Sequence, residues 1–304
     1  MFSRLKLSNP ALLIGLLLAT TAASACSRPS DSAGDPDSNA IEVGVLVFNN
    51  DTSAVRDRYE PLLEALEKGI GQPVAFVSVS PASQFVEIEG GGVDFIYTNP
   101  LASAQLRQQY NTEILATPSQ PEIGTEFGGV IVVQADSSIQ TVEDLAGRDG
   151  ACVNMRTAAG GCLFQMYHLQ QEGVDPFLDV SSMKEIPSQG AVVKAVANGE
   201  VDFGFVRTGQ VERMVANGAL PSASAVRILE PVQDDYPLPR TTRLYPNWAF
   251  SAAPDVPADL TNQMQQALLN LPAGDPALAA AGIEQFQPAA EYGSIDELID
   301  AFDL

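Results

Sequence analysis

Histidine is nearly absent from this 304-residue chain: there is one, His168. That excludes a metal or catalytic centre built on two or three imidazoles. Cysteine is scarce as well. Three of them, Cys26, Cys152 and Cys162, cannot make a zinc ribbon or an iron–sulfur framework. Positive charge is the third shortage: 16 Lys and Arg face 38 Asp and Glu, a formal net charge of −22. Nucleic-acid faces and adhesion to anionic lipid both need clustered cations, so neither fits. No G-x-S-x-G, H-E-x-x-H or Walker A pattern occurs, and no carboxylates stand at metal-loop spacing. No cofactor, metal or catalytic centre is therefore expected. What is present suits a folded body. An apolar fraction of 45% can bury a core, and the length permits one large domain or two ordinary ones.

Residues 1–25 read as a secretory signal. Arg4 and Lys6 precede an apolar run from Ala11 to Thr20, too short to span a bilayer. Two cleavage readings stand. Ala23-Ser24-Ala25 fits ordinary signal peptidase, and Ser24-Ala25-Cys26 fits a bacterial lipobox that would leave Cys26 lipidated. Residues 26–40 would then be a polar tether, Ser27–Ala40, reaching about 45 Å when extended. Export in this form places the body outside the cytoplasm, hung from a membrane only by its N-terminal anchor. Loss of Arg4 and Lys6 would leave fourteen cations, eleven Arg and three Lys.

Beyond the tether, strands and helices alternate. Ile41–Phe48 is an apolar strand, and Asn50-Asp51-Thr52-Ser53 is a helix-cap signal. Val55, Tyr59, Leu62, Leu63, Leu66 and Ile70 line one helical face, which Gly71 ends. A second strand follows at Val74–Val79, giving a βαβ start and a parallel sheet. One unit occurs twice. Val93-Asp94-Phe95 and Val201-Asp202-Phe203 each follow a short helical stretch, enter a strand and precede another helix, about 108 residues apart. That spacing suits two α/β lobes of like design.

Open α/β sheets bind ligands beyond the carboxyl ends of their strands, at helix N-termini. This singles out the loops 49–53 and 97–99 in one lobe and 156–161 and 207–209 in the other. Asn50, Tyr97, Thr98, Asn99, Arg156, Thr157, Gly160, Gly161, Arg207 and Thr208 fall in them. Arg243 offers a further guanidinium suited to oxyanions. Tyr245 and Trp248 read either as hinge or core packing or as a ligand-stacking wall.

The exported start, IEVGVLVFNN, VDFIYTNP and NGEVDFGFVRTGQVERM together resemble the phosphate/phosphite/phosphonate-type family of ABC-transporter substrate-binding proteins. Phe127–Gly147, Phe205–Met214 and Thr241–Phe250 are similar to sensory domains of tetrathionate-type histidine kinases. The resemblance implies a type II periplasmic-binding-protein-like fold: two α/β lobes closing by a hinge. It places lobe 1 at residues 41–131 plus 230–304 and lobe 2 at 132–229. It implies a monomer that captures a small anion and engages a permease or a sensor kinase. It also implies ligand contacts at Tyr97, Thr98 and Asn99, in the 157–161 loop and at Arg207 and Thr208. One departure matters. Where phosphonate binders carry a hydroxyl-rich run, this chain has Thr157-Ala158-Ala159-Gly160-Gly161, which counts against phosphate and phosphonate and favours another small oxyanion, one of sulfur.

Cys152 and Cys162 stand ten residues apart. Three readings are open: a disulfide, allowed by export; a redox pair at the site, which would make the protein a thiol enzyme; and two buried thiols.

Overall fold

The computed structural model of the protein describes residues 39–48 and 51–304. The expected signal, the tether, Cys26 and Asn50 lie outside the described residues. In chain order the elements are β1 (Ile41–Leu46), α1 (Thr52–Ile70), β2 (Val74–Val79), α2 (Ser83–Gly90), β3 (Phe95–Thr98), α3 (Pro100–Tyr110) and β4 (Glu113–Ser119). Then come β5 (Glu126–Gln134), β6 (Asp149–Cys152), α4 (Phe164–Gln171), β7 (Ser182–Glu185), α5 (Gln189–Ala197), β8 (Phe203–Arg207) and α6 (Gln210–Ala216). The chain ends with β9 (Val226–Ile228), β10 (Leu244–Pro246), β11 (Ala249–Ala252), α7 (Ala258–Asn270), α8 (Pro276–Ala281), β12 (Gln285–Pro288) and α9 (Gly293–Phe302).

The strands form two mixed sheets. One has the order β12-β4-β11-β3-β1-β2, the other β10-β5-β8-β6-β7 with β9 paired to β5. The α/β, two-lobe expectation is met. In each sheet the strand of the repeated unit lies parallel to the sheet's first parallel strand: β3 on β1, and β8 on β6. The two aspartates of the repeat do the same work. Asp94 donates its N–H to the Glu42 carbonyl, and its carboxylate accepts the Glu42 N–H at 2.8 Å. Asp202 makes the same pair of bonds to Asp149, the carboxylate bond being 2.9 Å. Each aspartate therefore fixes the register at the start of a parallel pair.

Helix ends follow the sequence signals. The Asp51 carboxylate caps α1 by accepting the Ala54 N–H, and Gly71 ends it at φ 77°. The side chains of Asn99 and Ser188 cap α3 and α5. Tyr59, Leu62, Leu63 and Leu66 bury the inner face of α1 against the first sheet. The segment Thr141–Ala146 reads as a helix in sequence but forms only a single 3-10 turn over Glu143–Leu145.

The chain changes sheet twice, at residues 120–125 and at Asn247-Trp248. The expected change after residue 131 falls inside β5, which among the described residues pairs with β8, β9 and β10. The expected return at residue 230 precedes β10, which lies on β5 through Leu244–Gly128 and Tyr245–Phe127. The crossing segments touch each other. Asn247 donates its N–H to the Thr125 carbonyl at 2.9 Å, and the buried Tyr292 hydroxyl donates to the Asn247 carbonyl at 2.8 Å. Ile295, Leu298 and Ile299 of α9 bury into the core cluster that contains Leu101, Phe164 and Tyr245.

Candidate functional site: a cationic cleft between the sheets

A cleft of about 570 Å³ opens beyond the carboxyl ends of the strands of both sheets. Its walls come from the loops that the α/β architecture singles out. From the first sheet come Phe48, Asp51, Arg58, Tyr97, Asn99 and the crossing residue Trp248. From the second come Gly160, Gly161, Gln189, Arg207, Gln210 and Arg213.

Three guanidiniums meet there. Arg207, at the end of β8, is half-buried, and Gln189 fixes its backbone by accepting the Arg207 N–H at 2.8 Å. Burial first, then Arg213 and Arg58, pull the Arg207 guanidinium down to about 10. Burial and Arg58 lower Arg213 in the same direction. Among the described residues the ion pairs are Arg107–Asp296, Arg240–Asp234 and Arg243–Glu297, so none of the three cleft arginines has a carboxylate partner. Arg58 donates to the Ala281 carbonyl at 2.7 Å, and Arg213 donates to the Gln210 side chain. Asp51, the acidic residue on the wall, is occupied with its helix cap. The cleft thus concentrates three like charges that an anion would neutralise.

Backbone donors add to them. Residues Ala159–Leu163 form a π-helical turn that runs into α4, and the first N–H groups of such a segment have no intrahelical partner. Gly160 and Gly161 sit on the cleft wall in that turn. A side chain at Gly160 would overlap the Phe127 ring and crowd Arg207, so only glycine lets this backbone approach β8. The buried Gln165 amide stitches the turn in place, donating to the carbonyls of Gly160 at 3.0 Å and Val206 at 2.6 Å. Cys152 and Cys162 are joined in a buried disulfide, Cα–Cα 5.3 Å, which ties the same turn to the end of β6.

An aromatic run lines the first-sheet side. Ring centroids lie 5.5 Å apart for Tyr59 and Tyr97, 5.2 Å for Tyr97 and Trp248, and 6.3 Å for Trp248 and Phe48. Burial, and to a lesser degree Tyr59, hold the Tyr97 phenol well above its ordinary value, so it acts as a neutral hydrogen-bonding group.

Of the residues singled out from sequence, Tyr97, Asn99, Gly160, Gly161 and Arg207 come together on the cleft wall. The others do not. The Thr98 hydroxyl is buried and donates to Gln84 at 2.7 Å. The Thr208 hydroxyl donates to the Gly128 carbonyl at 2.8 Å. Thr157 donates to the Asn154 side chain at 2.9 Å, and Arg156 is exposed off the cleft. Arg243 is paired with Glu297 at 2.7 Å. Tyr245 is buried and stacked on Phe164, centroids 3.8 Å apart. Sequence reasoning missed Arg58 and Arg213, which sit on helix faces rather than in loops. Their usable signal was position: both lie within two turns of the N-terminus of a helix that directly follows a strand, α1 after β1 and α6 after β8.

The family model described as ABC transporter, phosphonate, periplasmic substrate-binding protein matches residues 45–292. The chain is 28% identical over 229 residues to a phosphate-import protein, PhnD, of Mycolicibacterium smegmatis, covering 71% of this chain and 69% of that one. It is 26% identical over 238 residues to the tetrathionate sensor histidine kinase TtrS of Salmonella typhimurium, covering 76% of this chain. The chain spans only 39% of the kinase's length. A solved structure of PhnD1 from Prochlorococcus marinus, in complex with methylphosphonate, superposes with a TM-score of 0.68 at 18% identity, over 87% of this chain and 98% of that one. The chain belongs to the phosphonate-type family of periplasmic ABC-transporter substrate-binding proteins.

Proposed function

We propose that this protein captures a small oxyanion of phosphorus or sulfur between its two lobes, without catalysis, and delivers it to an ABC permease. The observation that carries this reading is the trio Arg58, Arg207 and Arg213, unpaired with carboxylates among the described residues and facing one cleft beside the glycine turn at 160–161. An anion that touches Arg58 from one sheet and Arg207 from the other is bound more tightly when the lobes approach, and that differential affinity drives closure. The signal-like start and Cys26 support an exported body held to a membrane by a lipid. A second reading, a sensing partner of a histidine kinase, draws on the 26% identity to the tetrathionate sensor.

The test is a thermal-shift panel on the purified protein. It comprises phosphate, phosphite, methylphosphonate, sulfite, thiosulfate, tetrathionate and organic phosphonates. An anion at a hundred times its Kd stabilises the protein by roughly 2.7 kcal/mol. Absence of a shift with every anion would overturn the proposal. Anion uptake in a strain lacking the protein separates the two readings: uptake falls if it delivers, and only the transcriptional response falls if it senses.

A further inference from the structure

The cleft is far larger than a bare oxyanion. A tetrahedral anion of five heavy atoms fills about the space of two or three waters, each roughly 30 Å³, whereas the cleft holds about 570 Å³. The surplus space is not uniformly polar. Phe48 stands 44% exposed on the wall, although few large apolar side chains of the described residues are exposed at all. Its ring meets the edge of Trp248, which packs on Tyr97 and through it on Tyr59. The Arg58 guanidinium lies over the Tyr59 ring, 5.4 Å from its centroid. One aromatic run therefore leads from an open apolar shelf, Phe48 and Trp248, to the cationic cluster. Hydrated apolar surface of this kind is relieved by an apolar group, and a flat ring stacks on it best.

Resting on the anion-binding reading above, we propose that the favoured ligand is an oxyanion headgroup carried on a ring-sized apolar body. The headgroup sits on Arg58, Arg207 and Arg213, and the body lies on Phe48 and Trp248. Trp248 is the single tryptophan of the chain, so its fluorescence reports on this shelf alone.

The experiment titrates the protein with phosphate, methylphosphonate and phenylphosphonate, following Trp248 fluorescence and heat of binding. Phenylphosphonate is expected to bind at least about tenfold tighter than methylphosphonate, the effect of burying one ring on an apolar shelf, and to change the Trp248 emission. In Phe48→Ala the ratio of phenylphosphonate to methylphosphonate affinity shrinks to within about threefold, as measured by calorimetry. Equal affinity for the methyl and phenyl compounds in the native protein would overturn the proposal and leave the anion site standing. Binding of none of the three would overturn this proposal, and the anion reading falls with it if the sulfur oxyanions fail to bind as well. An undiminished phenyl advantage in Phe48→Ala would overturn the placement of the body on the shelf.

Discussion

A half-buried guanidinium without a carboxylate costs the folded chain free energy, and Arg207 carries that cost beside two more cations. It was legible in sequence because it ends a strand of the repeated unit, where loop residues face the crevice. Arg58 and Arg213 were not, because which face of a helix fronts the crevice depends on how the helix packs. Arg243 misled for the opposite reason: guanidinium chemistry suits an oxyanion, but Glu297 already occupies it. His168, alone of its kind, sets a pH dependence near neutrality. Burial holds its imidazole below the ordinary value, with Glu172 and Glu230 opposing. The unfolded chain therefore takes up that proton first. Stability should be complete above about pH 6.5 and fall as the pH drops below it. Thermal melts between about pH 7.5 and pH 5.5 should show this slope, and His168→Gln should flatten it. A slope unchanged in the variant would contradict the assignment. Glu143, Asp144 and Asp149, whose hydrogen bonds lower their carboxyl values, contribute only at more acid pH.

At the scale of elements, the repeated V-D-F unit was readable because each aspartate does a structural job that few other residues could do. It pairs by side chain and backbone with the neighbouring strand. The sheet crossings were not readable, since β5 begins before its apolar run and β10 returns to it across a long loop. The disulfide was one of three open readings of the cysteine pair. Its loop is short and its second half is the turn that presents Gly160 and Gly161. Replacing Cys152 and Cys162 together by serine should lower the unfolding free energy by roughly 2–3 kcal/mol, read from urea denaturation of the oxidised and variant proteins. The same variant should bind anions more weakly, because the turn loses its tie to β6. An unchanged urea midpoint would count against the stabilising role of the bridge.

The whole molecule carries a net charge of −22 yet gathers cations in its cleft. The long-range field opposes the approach of an anion, whereas the bound state is decided within the cleft. Salt screens the surface over about 10 Å or less. Association should therefore speed up as ionic strength rises, measured by stopped-flow at low and moderate salt, and a rate that falls with salt would contradict this picture. The central claim is that one anion is held by guanidiniums from both sides of the cleft. Calorimetric titration of the native protein and of Arg207→Ala, with whichever anion stabilises the protein most, tests it directly. The account predicts binding at least about thirtyfold weaker in the variant, with an apo melting temperature lowered by no more than about 4 °C, because Arg207 is a local strain when no anion is bound. Equal affinity in the two proteins would contradict it.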